Sequence, residues 1–333
     1  MLQVPLDEMK AQLNRVLLKV GFSKEKAELC ARLFAENSLD GVYTHGLNRF
    51  PRFIGDVQNG RINIEAEPEK ISGFGALESW DGKLGPGNLN AYFAMKRAIE
   101  LARTYGIGCV GLKNTNHWMR GGTYGWQAAQ AGCIGICWTN TTPLMPPWGA
   151  VERKLGNNPL ILAVPHEKGH IVVDMAMTMF SLGKIESCLA KGTLLPVEGG
   201  YDMEGNLTRD PKAIVQSKRP MPIGCWKGTG LALLLDLMAM VLSGGNSTLQ
   251  LGQPGSKCGP SQVFLAIDVS KLPQRQLIPV MIDEIINDLH SAKPVKDGEG
   301  ILYPGERVLT LRRENLEKGI PVEEPFWQQV LDM

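Results

Sequence analysis

The chain has 333 residues, of which 44% are hydrophobic and 21% charged, and its formal net charge is +1. That length can bury a large core and predicts two domains. The near-neutral charge gives no electrostatic footprint for nucleic acid or for an anionic membrane. No basic and apolar leader is visible, and seven scattered cysteines favour a reducing compartment, so we expect a cytoplasmic protein.

The first sixty residues predict helices. Apolar residues recur at helical spacing from Leu6 to Val20, and Gly21 is placed to end that helix. A second helix is expected over about residues 24–37, with Ser23 as its N-cap.

Residues 42–52, Val-Tyr-Thr-His-Gly-Leu-Asn-Arg-Phe-Pro-Arg, place the imidazole of His45 four positions before the guanidinium of Arg49. One helical turn would bring both side chains onto the same face. A titratable proton donor beside a fixed fork for a carboxylate is what the reduction of a 2-keto acid requires. An ordinary solvated helix face has the same spacing, so the pair alone leaves both interpretations open.

From about residue 70 to 270, short β-rich runs alternate with helical segments, which indicates an α/β or α+β body. The β-rich runs are 109–112, 134–138, 160–164, 171–173 and 263–269, and the helical segments are 89–105, 124–131, 179–191 and 228–243. The longest apolar run, 231–242, contains Asp236 and is too short to span a bilayer, so we interpret it as a buried helix. Helices return at 277–291 and 307–318.

Residues 106–111 match the dinucleotide fingerprint Gly-x-Gly-x-x-Gly, but in an inverted context. The fingerprint requires a strand before it and a helix after it, because the pyrophosphate binds at the helix N-terminus. Here a helix ends at Gly106 and a strand follows. We therefore predict that this segment is not a Rossmann site.

Residues 166–170 match the zinc-protease motif His-Glu-x-x-His. That motif requires a helix, so that both imidazoles share one face. The segment instead follows Pro165 and carries Gly169 between two β-rich runs, which predicts a hairpin turn. We expect no metal site, and a zinc hydrolase through His166 and His170 remains an alternative.

Six further segments belong with residues 42–52. They are Asn-Thr-Asn-His-Trp-Met-Arg-Gly-Gly at 114–122, Gly-Ile-Cys-Trp-Thr-Asn at 135–140, Met-Pro-Pro-Trp-Gly at 145–149, Asn-Pro-Leu at 158–160, Val-Asp-Met-Ala-Met at 173–177 and Gly-Cys-Trp-Lys-Gly at 224–228. In this order they resemble the malate/L-lactate dehydrogenase family of the second type, a group of NAD(P)-dependent reductases unrelated to Rossmann dehydrogenases. The similarity runs nearly end to end.

The resemblance implies an α/β (α+β) fold in which a large, mainly antiparallel mixed sheet carries a non-Rossmann cofactor site. It also implies a small helical domain formed by both chain ends. We place the helical domain at residues 1–65 and 280–333, and the cofactor- and substrate-binding domain at residues 66–279. A homodimer with active sites near the subunit interface is implied as well.

The resemblance also assigns the catalytic roles. The family's general acid is the His of a Ser/Thr-His-Gly motif, which falls on His45. Thr44 would orient the imidazole or, alternatively, cap the following helix. Arg49 would hold the substrate carboxylate through two parallel donors, and His117 would make a second polar contact. Some relatives add an Asp where this chain has Lys184, so we expect no catalytic triad.

For the cofactor, the resemblance points to three segments. Their residues are His170, Ile171, Val172, Val173, Asp174, Met175 and Ala176; Trp226 and Lys227; and Gly305, Glu306 and Arg307. Lys227 and Arg307 would neutralise pyrophosphate charge, while Gly305 would allow a close backbone approach. Trp226 would offer a flat wall for a ring. The expected cofactor is NADH, with NADPH as the alternative.

The implied reaction is NAD(P)H-dependent reduction of a small carboxylate-bearing keto substrate, first of all 2,3-diketo-L-gulonate to 3-keto-L-gulonate. Within the family, the alternatives are malate, lactate, ureidoglycolate or cyclic-imine dehydrogenases. Outside it, they are the zinc hydrolase and a non-catalytic protein that binds sugar acids. We expect neither a nucleic acid nor a membrane as partner.

Overall fold

The structure is a computed structural model that describes residues 2–255, 259–296 and 300–333. The helices are α1 (Leu6–Lys19), α2 (Lys24–Leu39), α3 (Phe50–Gln58), α4 (Gly87–Tyr105), α5 (Gly122–Gln130), α6 (Leu182–Ala190), α7 (Pro211–Ser217), α8 (Trp226–Ser243), α9 (Thr248–Leu251), α10 (Ile278–Ser291), α11 (Glu306–Lys318) and α12 (Glu324–Asp332). The strands are β1 (Leu2–Val4), β2 (Glu69–Phe74), β3 (Leu77–Asp81), β4 (Ile107–Lys113), β5 (Cys133–Thr139), β6 (Leu160–Val164), β7 (Ile171–Met175), β8 (Gly200–Tyr201), β9 (Leu207–Thr208), β10 (Gln262–Asp268) and β11 (Ile320–Val322).

Seven strands form one sheet in the order β2-β3-β4-β10-β5-β6-β7. The β3–β4 pair is parallel, and the other five pairs are antiparallel. The sheet is therefore mixed and mainly antiparallel, as predicted. Two small sheets, β1–β11 and β8–β9, complete the described pairing, and the first joins the two ends of the chain.

The large sheet is covered on both faces because successive side chains of a strand point to opposite sides. Helices α4 and α5 pack with Phe264 and Ala266 of β10 on one face. Helix α8 packs with Val263 of the same strand on the other face. Val172 of the edge strand β7 belongs to the α5 side. Asp174, two residues further along that strand, therefore points to this side too.

Segments from both chain ends share a separate hydrophobic core. Helices α1 to α3 contribute most of its residues, and β11 and α12 contribute residues up to Val330. Phe34 of α2 meets Phe50 and Phe53 of α3, each at 5.2 Å between ring centroids. The boundaries we placed at residues 65 and 280 stay a prediction.

The local signals at helix ends are confirmed. Gly21 has a φ of +98° directly after α1, and the Ser23 hydroxyl accepts a hydrogen bond from the Lys26 amide at the start of α2. Gly106 ends α4 in the left-handed conformation, and β4 begins at the next residue. The fingerprint at 106–111 therefore consists of a helix-ending glycine followed by a strand, as predicted.

The interpretation of residues 231–242 as a buried helix is wrong for one face. Helix α8 is long and apolar enough, by length and composition, to cross a membrane, and only 33% of it is buried. Asp236 lies on its buried side, where the carboxylate accepts hydrogen bonds from Asn140 at 2.7 Å and from the Thr248 amide at 2.9 Å. The opposite face of α8 leaves large apolar side chains exposed.

Candidate active site

Two short 3-10 turns, Tyr43–His45 and Leu47–Arg49, connect α2 to α3. The single helical turn that we predicted over this segment is wrong. Gly46 separates the two turns, and a Cβ on it would lie 2.1 Å from the Ser38 hydroxyl of α2. The chain bends here because it packs tightly onto α2, and the bend divides the segment into two turns, one that carries His45 and one that carries Arg49.

Neighbouring side chains hold the His45 turn in place. Nδ2 of the Asn37 side chain donates to the His45 carbonyl oxygen at 3.0 Å. Oδ1 of the same side chain accepts a hydrogen bond from the Thr123 hydroxyl at 2.8 Å. The Thr44 hydroxyl lies 3.3 Å from Nδ1 of the His45 ring. Since α3 begins only at Phe50, Thr44 does not cap it, and its contact is with the imidazole.

The ring of His117, from the loop between β4 and α5, stacks on His45. The two centroids are 5.7 Å apart and the planes differ by 4°. Nδ1 of His117 accepts a hydrogen bond from the Met119 amide at 3.1 Å. Desolvation by the surrounding protein is the largest effect on the pKa of His117 and lowers it, and the charges of Arg49 and His45 lower it further. The residue nevertheless remains accessible to solvent. A neutral His117 therefore offers Nε2–H as a donor to the cleft.

Opposing charges act on the half-buried imidazole of His45. Burial is the largest effect and lowers its pKa, while the Asp174 carboxylate raises it. The charges of Arg49 and Arg120 lower it again. Asp174 is exposed on β7, and its Oδ2 accepts a hydrogen bond from the Gly122 amide at 2.7 Å. The structure thus brings together an imidazole, a carboxylate and two guanidiniums from three segments: residues 42–52, the loop before α5, and β7.

The Arg49 guanidinium is half-buried beside this imidazole and forms no ion pair with any residue that the structure describes. Burial lowers its pKa, and the neighbouring charge of Arg52 acts in the same direction. A partly desolvated cation without a partner is a strong attractor for an anion. The predicted contact of Arg49 with a substrate carboxylate stays a prediction that this environment favours.

The three segments predicted for the cofactor lie around the edge strand β7. The Val172 amide donates to the Pro304 carbonyl at 2.9 Å, which places residues 303–305 beside the start of the strand. The Ile223 amide donates to the Met177 carbonyl at 2.9 Å, just beyond the end of the strand. Helix α8 then begins with Trp226.

These residues supply charges and an apolar surface of the kind that a dinucleotide cofactor would require. A Cβ on Gly305, whose φ is +98°, would lie 3.1 Å from the His170 carbonyl oxygen, so glycine allows this loop to pack closely on the start of β7. Lys227 and Arg307 are exposed and form no ion pair within the described ranges. The Trp226 ring is 68% exposed and lies 6.0 Å from the Lys227 ammonium. Cations and a flat apolar surface are therefore accessible along β7.

Two residues of the same set are engaged in contacts within the protein. The Glu306 carboxylate accepts a hydrogen bond from the Tyr303 amide at 3.0 Å and lies 3.0 Å from Nε2 of His290. Nδ1 of His170 accepts a hydrogen bond from the His166 amide at 3.2 Å. Their contribution to cofactor binding stays a prediction, and these contacts indicate that they also shape the loop.

The segment 166–170 is the turn between β6 and β7, as predicted. Nε2 of His166 points to Asp283 of α10, at 3.2 Å, while Nδ1 of His170 points to the turn's own backbone. Within the described ranges, no three His, Cys, Asp or Glu side chains are grouped to hold a metal ion. The turn does not place the two imidazoles on one helical face.

Sequence reasoning missed two buried residues near His45. Arg120 is 5% exposed and forms an ion pair with Asp40 at the end of α2. Arg120 stands three residues after His117, in the segment 114–122 that carried the family resemblance. Its place in that segment was the one sequence feature that could have identified it. No sequence feature could have identified Asp40, because a single acidic residue at a helix end is common.

The chain matches known proteins over its whole length. A family model described as malate/L-lactate dehydrogenase matches residues 4–331. The chain is 46% identical over 330 residues to 2,3-diketo-L-gulonate reductase of Escherichia coli strain K12, covering 99% of each. Among solved structures, it resembles sulfolactate dehydrogenase from Methanocaldococcus jannaschii, with a TM-score of 0.91 and 29% identity over 99% of this chain and 96% of that one. For malate dehydrogenase from Entamoeba histolytica the TM-score is 0.93 with 26% identity, over the same shares. The resemblance is confirmed: the chain belongs to the malate/L-lactate dehydrogenase family.

Proposed function

We propose that this chain is a cytoplasmic, NADH-dependent reductase that converts 2,3-diketo-L-gulonate to 3-keto-L-gulonate. The juxtaposition of His45, Arg49 and Asp174 carries the proposal, since it offers a proton donor near a carboxylate and near a guanidinium that has no ion-pair partner among the described residues. The substrate is the one named for the Escherichia coli relative, at 46% identity over the full length. NADPH is the alternative cofactor.

In this proposal, Arg49 binds the substrate carboxylate with two parallel donors and thereby fixes the adjacent C2 carbonyl. His117 donates from Nε2–H to a neighbouring substrate oxygen. When bound, the nicotinamide cofactor supplies the hydride that adds to C2. His45 donates a proton to the carbonyl oxygen from Nε2, because its Nδ1 faces the Thr44 hydroxyl. One hydride and one proton complete the reduction.

The cofactor would lie along β7. Lys227 and Arg307 would neutralise its phosphates from the two ends of the strand, and Gly305 would admit it close to the backbone. Asp174 would remain between the cofactor and His45, where its carboxylate favours the protonated imidazole. The protein's own residues thus hold the cofactor, orient the substrate and keep the proton in place.

The test is the loss of NADH absorbance with a panel of 2,3-diketo-L-gulonate, oxaloacetate, pyruvate and a cyclic imine carboxylate. We expect the highest kcat/KM with 2,3-diketo-L-gulonate, and a lower value when NADPH replaces NADH. A higher value with another compound of the panel would overturn the substrate. Binding of a sugar acid without any oxidation of NADH would favour the non-catalytic alternative.

The pH dependence should differ between the free enzyme and the substrate complex. His45 must be protonated for reduction, so kcat/KM should fall as pH rises through its free-enzyme pKa, which burial lowers from 6.5. A bound carboxylate offsets the charge on Arg49, one of the groups that lower this pKa, so kcat should fall at a higher pH. Initial rates across pH measure both profiles. Coincident midpoints, or a kcat/KM that rises with pH, would contradict the assignment.

We also propose that the chain forms a homodimer through the exposed face of α8. Besides Trp226 at its start, five large apolar side chains on this helix are between 41% and 69% exposed. They are Leu233, Leu234, Leu237, Met238 and Val241. A contiguous apolar face of this kind is typical of a protein interface. Since α8 starts at Trp226 and Lys227, the interface would border the proposed cofactor site.

Replacing Leu234 with aspartate should turn this dimer into monomers, because the substitution would bury an unpaired charge in the interface. Sedimentation velocity measures the change. The matched control is Leu316→Asp, which alters a leucine of similar exposure on α11, 57% against 54%, and should leave the dimer intact. A monomeric wild-type chain, or a dimer that survives Leu234→Asp, would show that α8 is not the interface.

Dialysis against a metal chelator should leave the rate of NADH oxidation unchanged, because the His166–His170 turn does not group metal ligands. Residual metal is measured in the same samples. Inhibition that zinc alone reverses would support the hydrolase-type zinc site instead.

A further inference from the structure

Asp40, the residue that follows the end of α2, is buried between two guanidiniums. Its Oδ2 accepts a hydrogen bond from Arg120, and its Oδ1 accepts one from Nε of Arg312 on α11 at 2.6 Å. Asp40 and Arg120 are each 5% exposed. Removing one partner from such a buried pair leaves the other charge uncompensated. The arrangement therefore fixes the direction in which Arg120 points.

Arg120 lies near a second carboxylate, that of Asp174, and does not pair with it. Gly122 stands between the two groups: a Cβ on it would lie 3.3 Å from Nε of Arg120 and 2.8 Å from Oδ2 of Asp174. Among the described residues, Arg120 forms its ion pair with Asp40, whereas the Asp174 carboxylate accepts a hydrogen bond from the Gly122 amide. Two carboxylates thus compete for one guanidinium, and Asp40 holds it.

We propose that Asp40 is a positioning residue for the reaction: it holds Arg120 away from Asp174 and so leaves the Asp174 carboxylate free to act on His45. This inference rests on the proposed role of His45 as the acid. Arg312 supports Asp40 from the other side, and Asn315 of the same helix donates to the Leu39 carbonyl at 2.7 Å. Helix α11, which begins in the proposed cofactor segment, therefore fixes the pair.

The charged and titratable groups that face His45 set the expected signs. They are Asp174 from β7, Arg49 from the second 3-10 turn, and His117 and Arg120 from the loop before α5. Asp174 favours the protonated imidazole, and the arginines oppose it. Without Asp40, Arg120 would turn to Asp174 and neutralise it. The pKa of His45 would then fall, and fewer molecules would hold the proton that reduction requires.

The experiment measures the pKa of His45 in the full chain by NMR of labelled histidine. The chain has five histidines, so His45→Gln identifies the resonance by difference. We expect Asp40→Asn to lower this pKa by about one unit, the lower end of the effect of a nearby charge, and Arg120→Gln to raise it. The double variant should match the wild type or exceed it. This measurement needs no turnover, so it stands even if the proposed substrate is wrong.

Activity provides the second measurement. Asp40→Asn should lower kcat/KM for reduction at pH 7 by up to about tenfold, the factor that one pKa unit represents. Adding Arg120→Gln should restore the His45 pKa. Because this second substitution removes the buried charge that Asp40→Asn leaves without its partner, the double variant also serves if Asp40→Asn alone folds poorly. The matched control is Asp268→Asn, which alters a buried carboxylate of β10 that pairs with Arg103 of α4 and should leave the His45 pKa unchanged. Shifts of equal sign in Asp40→Asn and Arg120→Gln, or no shift in either, would overturn the proposal.

Discussion

His45→Ala is expected to lower kcat for reduction by roughly 10²–10⁴-fold, the usual loss when a positioned general acid is removed. NADH affinity should stay nearly unchanged, because the described hydrogen bonds and ring contact of His45 are with Thr44, Asn37 and His117, and only the charge of Asp174 relates it to β7. Steady-state rates and a fluorescence titration with NADH measure the two effects separately.

The matched comparison for this variant is Thr44→Ala. It removes a hydroxyl 3.3 Å from the imidazole but leaves the acid itself, so its loss of kcat should be much smaller. Circular dichroism of both variants checks the fold. If His45→Ala turns over at a rate close to that of the wild type, His45 is not the acid and the central assignment fails.

Arg49→Lys should raise KM for the keto acid and lower kcat by up to roughly a hundredfold, while the NADH dissociation constant stays the same. Lysine keeps the charge but loses the planar fork that binds a carboxylate through two donors. A carboxylate held at one point leaves the carbonyl misplaced by about an ångström, which is enough to cause such a loss.

Arg52→Lys is the control for Arg49→Lys. It makes the same chemical change three residues further along, on an exposed side chain of α3. It should have little effect on KM for the keto acid or on the NADH dissociation constant. If Arg49→Lys raised only the NADH dissociation constant, Arg49 would contact the cofactor and not the substrate. That result would remove the main physical reason for expecting a carboxylic acid as substrate.

Local sequence signals predicted the helix ends and the two misleading motifs correctly, because each depends on a few adjacent residues. Gly106 ends α4 through its own left-handed backbone, and Ser23 caps α2 through a hydroxyl three residues from the amide it meets. The exposed face of α8 could not be predicted in the same way. Composition shows that the helix is apolar, but only the fold shows which side the sheet covers.

The geometry that the sequence suggested for the candidate site was wrong, while the roles of its residues stay a prediction. The spacing of His45 and Arg49 suggested one helical turn, whereas the contact of Gly46 with Ser38 breaks it into two. That contact is tertiary and has no local signature. The same holds for Asp40, whose partners lie 80 and 272 residues away along the chain. No periodicity could connect such residues.

The central claim is that hydride reaches C2 of the substrate while His45 protonates the adjacent oxygen. The most direct test incubates the enzyme with 2,3-diketo-L-gulonate and NADH that carries deuterium at both positions of nicotinamide C4, and identifies the product by NMR. We expect 3-keto-L-gulonate with deuterium on C2, formed far more slowly by His45→Ala. Deuterium at C3, or a product without deuterium, would contradict this account.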